Sequence, residues 1–176
     1  MRRSLKRHPD SLCLAVTSID VDVARSPAGS LQLTYVVTGK IGDLRLPPVT
    51  GGARTDGLWR HNCFEAFVRP SPGEAYYEFN FAPTTQWAAY RFDSYRSGMR
   101  VATEIDAPRI EVQAAPERYI LQAALDLSHL PRDAGWRLGL AAVIEETGGR
   151  KSYWALAQPP GKPDFHHSDC FACEIS

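Results

Sequence analysis

The sequence predicts an all-β chain folded as an antiparallel sandwich. Three observations carry that expectation. Apolar and β-branched residues recur with a period of two. No long segment combines a helical period with caps at both ends. Roughly ten strand-like runs follow one another at intervals near 8–12 residues, punctuated by Pro and Gly, which is the spacing of a sandwich.

The runs at 12–17 (LCLAVT) and 31–37 (LQLTYVV) read as strands separated by a Ser-Pro-Ala-Gly turn at 26–29. A strand at 63–69 closes on Pro-Ser-Pro-Gly at 70–73 and is followed by strands at 76–81 and 86–92, with Ala-Pro-Thr-Thr between them. Short connections of this kind predict a meander of three adjacent antiparallel strands. Later strands are expected at 110–114, 119–125, 137–146, 152–156 and 171–175, with a turn or single helical turn at 126–130 ahead of Pro131. Two connections exceed hairpin length, 42–60 and 157–169. Long loops on a rigid sandwich are where function concentrates.

A length of 176 residues suits one domain, expected to span 1–176 with residues 1–10 as a flexible tail. Twenty basic and twenty acidic residues balance to zero net charge, and a basic surplus appears only at Arg2, Arg3, Lys6 and Arg7. Nucleic acid is therefore disfavoured as a partner. The apolar stretch after those residues is too short for a secretory signal, and no run of about 18 apolar residues predicts a membrane span. Cys13, Cys63, Cys170 and Cys173 lie in apolar runs and read as reduced core thiols, with the cytoplasm as the expected location.

Alternation sorts side chains by face. On the strand at 76–81, Tyr77, Phe79 and Phe81 share one face; Tyr76, Glu78 and Asn80 share the other. On the preceding strand, Cys63, Glu65 and Phe67 oppose Phe64, Ala66 and Val68. The next strand splits into Ala88, Tyr90 and Phe92 against Trp87, Ala89 and Arg91. If each fully apolar face points inward, the other face gathers Glu65, Glu78, Asn80 and Arg91, with Trp87, Phe67 and Tyr76 among them. That is the composition of a small-ligand site. An ion pair between Arg91 and either acid is the structural alternative.

The run RTDGLWRHNCFEAFVRPSPGEAYYEFNFAPTTQWAAYRFDSYRSGM resembles the core of DOMON-like domains, the superfamily that includes family-9 carbohydrate-binding modules, and SYWALAQPPGKPDFHHSDCFACEI resembles the C-terminal strand region of bacterial DOMON-like proteins. The shared pattern is a Trp, a strand with a Glu, a Tyr-Glu-Phe strand ending at Pro, then a Trp-containing strand. The resemblance implies an immunoglobulin-like or jelly-roll sandwich with a ligand site on one face. It implies Trp59 as an aromatic platform, Glu65 as the nearby acid and Arg91 as the hydroxyl-binding arginine. The region of the second platform offers Phe165, His166 and His167 where those modules carry a Trp.

The expected function is thus non-catalytic binding of a carbohydrate or soluble sugar derivative. Trp59, with Trp87 or Phe165, would stack on it; Glu65, Glu78, Asn80 and Arg91 would bond its hydroxyls; His166 and His167 would sit at the rim. Three other chemistries compete. Haem could be held noncovalently by Met99 with His61, His129, His166 or His167, since no Cys-x-x-Cys-His motif exists. Zinc on His166, His167, Cys170 and Cys173 is opposed by the spacing of the two cysteines, which on a strand sends them to opposite faces. A hydrolase would use Glu65 and Glu78 as paired acids.

Overall fold

The structure is a computed structural model that describes residues 1–131 and 135–175. Among the described residues thirteen strands form two antiparallel sheets. The smaller sheet has the order β1 (Arg2–Ser4), β3 (Val16–Arg25), β4 (Ser30–Gly39), β10 (Arg118–Asp126) and β9 (Arg109–Ala115). The larger runs β2 (Lys6–Arg7), β12 (Lys151–Ala155), β11 (Trp136–Glu145), β5 (Cys63–Pro70), β6 (Tyr76–Phe81), β7 (Trp87–Phe92) and β8 (Arg100–Val101). Its eighth strand, β13 (Cys173–Ile175), pairs with β11. The all-β antiparallel sandwich is as expected, and β5–β6–β7 is the anticipated meander.

The core between the sheets is built by alternation. Phe64, Phe79, Phe81, Leu138 and Leu140 of the larger sheet meet Ile19, Leu31, Leu33, Tyr35, Leu121 and Leu125 of the smaller one, all buried. The Tyr35 hydroxyl donates to the Glu65 carbonyl at 2.8 Å, satisfying a phenol that would otherwise be buried without a partner.

Two sequence expectations change. The strand expected at 12–17 begins only at Val16, because the Leu14 and Ala15 amides donate to the Glu146 carboxylate (2.8 and 2.7 Å) instead of to a neighbouring strand. The flexible tail expected at 1–10 is instead ordered. β1 pairs with β3 and β2 with β12, so the N-terminus stitches the two sheets together, and Leu5 and His8 are buried. The positive charges that suggested a solvated tail do project outward, but their backbone supplies ladder bonds. Leu5→Ala should therefore cost about 2 kcal/mol in a urea melt; a loose tail would show no change.

The larger sheet is unusual in being covered on both sides. Along β5 and β6 almost every residue is buried, whereas exposed β9 shows only half-buried alternation. A second apolar layer lies on the outer face: Phe67, Tyr76, Ala88, Tyr90, Phe92, Ala141 and Val143 under Phe165 and Phe171. The last two belong to the long segment that returns after β12. That segment settles onto the sheet at Gly139, where a Cβ would stand 3.3 Å from the Cys170 carbonyl oxygen and from Phe67 Cβ.

Candidate functional site

The outer face carries the acids. Register places Glu65 opposite Asn80 and Ala141, and Glu78 opposite Phe67 and Tyr90. Glu65 and Glu78 are thus diagonal neighbours on one face, close to Ala88 and Ala141, whose small side chains leave room above them. The room is a cavity of about 400 Å³ lined by Trp59, Glu65, Glu78, Phe92, Arg96, Met99, Val143, Tyr153, Pro163, Phe165 and His166.

Each wall has a local cause. Trp59 sits in a short 3-10 turn, Leu58–Arg60, entered through Gly57 in the left-handed region (φ 77°). The turn is held down by a hydrogen bond from the Tyr90 hydroxyl to Asp56 and by Lys151 Nζ on the Arg60 carbonyl (2.6 Å). The indole packs edge-on against Tyr90 at 5.9 Å and is 37% exposed. Phe165 closes another side, tilted on Tyr153 at 6.3 Å.

Arg96 stands in the turn between β7 and β8 with φ 52°. Its Nη2 bonds Asp164 Oδ1 at 2.7 Å, and Tyr95 bonds Asp164 Oδ2 at 2.6 Å. This knot ties the β7–β8 turn to the returning segment, and Asp164 also accepts the His166 amide (3.2 Å).

The floor is a hydrogen-bonded chain. Tyr76 accepts the Arg96 amide at 3.2 Å, so its own proton is free for His166 Nδ1 at 2.8 Å. That assignment leaves the proton of His166 on Nε2, which faces Glu78 Oε2 at 3.5 Å. Glu78 Oε1 accepts from Asn80 Nδ2 at 2.8 Å. Burial holds the His166 imidazole down to about 4, with Arg96 adding to the effect, so the ring is neutral near pH 7. Burial raises Glu78 to about 7. Glu65 is pushed well above the usual carboxylate range by burial and by the charge of Glu78. Two acids so placed cannot both ionise freely.

Of the expected residues, Trp59, Glu65, Glu78, Phe165 and His166 meet around this cavity. Asn80 lies beside Glu78 on the same face, fully buried, its Nδ2 donating to Glu78. His167 turns away, its Nδ1 accepting the Asp169 amide at 3.2 Å in a neighbouring depression.

Arg91 and Trp87 are corrections: both lie on the opposite face of β7. Arg91 reaches the rim of the sandwich, 3.8 Å from Glu104 and 5.6 Å above the Tyr77 ring. Trp87 is core, donating to the Gly52 carbonyl at 3.1 Å under the Arg54 guanidinium. Arg96 supplies the guanidinium instead. Phe92 and Tyr153 were also not foreseen as walls. The signal for Arg96 was its place in the turn leaving the strand that ends at Phe92.

The other chemistries fare differently. Met99 and His166 line the same cavity; His166 Nδ1 is bonded to Tyr76 and its Nε2 lies 3.5 Å from Glu78. His61 bonds Glu145 (2.7 Å) and His129 packs on Tyr77, both away from the cavity. Cys170 points to the Ala157 and Asp164 carbonyls, while Cys173 is in the main core.

Among solved structures the chain is similar to a candidate carbohydrate-binding protein from Bacteroides uniformis, with a TM-score of 0.67 and 14% identity over 96% of this chain and 83% of that one. It is also similar to a family-9 carbohydrate-binding module from Caldicellulosiruptor kristjanssonii. The complex with glucose gives a TM-score of 0.48, 13% identity and coverage of 89% and 76%. The complex with cellotriose gives 0.49, 13%, 89% and 74%. No family model and no curated protein matches the chain. At 14% identity the first likeness establishes a shared fold.

Proposed function

We propose that the cavity beneath Trp59 binds a saccharide of one or two rings, without catalysis. The observation that carries this reading is the pairing of a partly exposed indole with two buried carboxyl groups at the floor of one 400 Å³ hollow. A pyranose matches that pairing. Its C–H face stacks on indole, and its hydroxyl rim needs groups that both donate and accept. A carboxyl held protonated by burial does both, and neutral His166 and Arg96 extend the set. The kinship of fold with a candidate carbohydrate-binding protein supports the reading. The enclosed floor favours a soluble sugar over a long polymer.

The test uses an intrinsic probe. Trp87, Trp136 and Trp154 are buried, so Trp59 is the one tryptophan whose environment a guest changes directly. Titration with millimolar mono- and disaccharides should shift the emission to the blue and saturate. A flat response across the panel rejects the proposal.

A further inference from the structure

Glu65 has an unusual environment for a carboxyl group. It is 3% exposed and lines the cavity. Among the described residues no N–H or O–H is bonded to its carboxyl oxygens, and the Cys63 thiol beside it is only a weak donor. A few ångströms of sheet away, Glu78 has Asn80 on one oxygen and only a long contact to His166 on the other. Burying two carboxyls with so few donors is unfavourable unless the missing donors come from outside.

The surrounding charges do not supply them. The groups facing the pair are Arg96 and neutral His166. Asp164 stands behind Arg96 at 2.7 Å and takes up its charge, with Tyr95 and Tyr76 on the same knot. Asp56, bonded to the Tyr90 hydroxyl, adds no cation. The hollow has two carboxyl groups at its floor and is aromatic on its sides, with Trp59, Phe92, Tyr153 and Phe165. Both features attract a cation that carries its own hydrogen-bond donors.

We infer that the guest carries a protonated amine: the site takes an amino sugar or related amino-polyol, its ammonium seated between Glu65 and Glu78 and its ring against Trp59. This rests on the saccharide reading above and specifies the ligand class. An ammonium offers three donors to a floor that lacks them, and its charge ends the mutual repulsion of the acids. Seating it favours the ionised form of carboxyls that burial otherwise keeps protonated, so binding is coupled to proton release. A neutral sugar leaves those protons in place.

Calorimetric titration of the full chain near pH 6.5 with glucosamine, N-acetylglucosamine and glucose tests the inference. Glucosamine should bind at least tenfold more tightly than either neutral sugar. It alone should release protons, read as a dependence of the heat on the buffer's protonation enthalpy. Glu78→Gln should bring the ratio of glucosamine to glucose affinity to within about threefold. Glu65→Gln serves if that variant does not fold, and the proton release needs no variant. Glucose binding with no amine preference overturns this inference and leaves the saccharide site standing; failure of all three ligands overturns both. A preference that survives both glutamine variants also overturns it, since the amine would then sit elsewhere.

Discussion

Trp59→Ala is expected to weaken saccharide binding roughly 10- to 100-fold while leaving the fold nearly as stable as before. A stacked aromatic platform contributes through desolvated C–H contact over a whole ring face. A tenfold loss corresponds to about 1.4 kcal/mol, and losing such a face amounts to about one to two such steps. The cost to stability is small because the indole is already 37% exposed and makes only an edge contact to Tyr90. The turn carrying it is fixed independently through Asp56, Gly57 and Lys151. Calorimetric titration and a thermal melt of the same preparation separate the two effects. If stability collapses, Trp59 is plugging the sandwich; if affinity is unchanged, it is not a platform. Trp59→Phe should recover part of the binding, since a smaller ring still offers a face.

The second large effect is a loss of stability as pH rises through neutrality, on the order of 2 kcal/mol between pH 6.5 and 8. A carboxyl whose folded pKa is raised binds its proton more tightly in the native state than in the unfolded chain. Its contribution is complete below the ordinary carboxylate range and is lost as pH rises through the folded value. For Glu78 that value is about 7, and Glu65 is displaced in the same direction. His166 works with the opposite sign. Held near 4 by burial, it penalises the native state below the ordinary histidine range and ceases to matter above it. Up to about pH 6.5 His166 offsets only one of the two carboxyl slopes, so stability should fall gently there and more steeply just above it. The buried thiol of Cys63, also raised, adds its own loss only at higher pH. Urea melts at the two pH values measure the fall. In Glu65→Gln/Glu78→Gln the fall should largely vanish; an equal fall in that variant would assign it to other groups.

Much of the fold and part of the site could be read from residue pattern. Pairs such as Tyr76 with Glu78 and Cys63 with Glu65 share a face because a strand alternates, whatever its neighbours do. The error at Arg91 and Trp87 has a definite origin. Choosing the more apolar side of each strand as the inner one works for β5 and β6. It fails for β7, where Ala88, Tyr90 and Phe92 look more core-like than Trp87, Ala89 and Arg91. Both sides of β7 are apolar because both are covered, so hydrophobicity alone cannot choose between them. Only the register, Glu78 opposite Tyr90, shows that the aromatic side is the side of the acids.

By itself, then, the sequence determined the sandwich, the meander and the presence of two acids on one face of adjacent strands, since these follow from periodicity and short connections. The tertiary structure decided which side of β7 joins them. It also decided that Arg96, and not Arg91, brings the guanidinium, and that the segment returning after β12 roofs the acids over. Those are consequences of strand register and of contacts such as Arg96 to Asp164, between residues 68 positions apart. Local pattern carries no information about a partner that distant, because what selects it is the shape both segments acquire after folding.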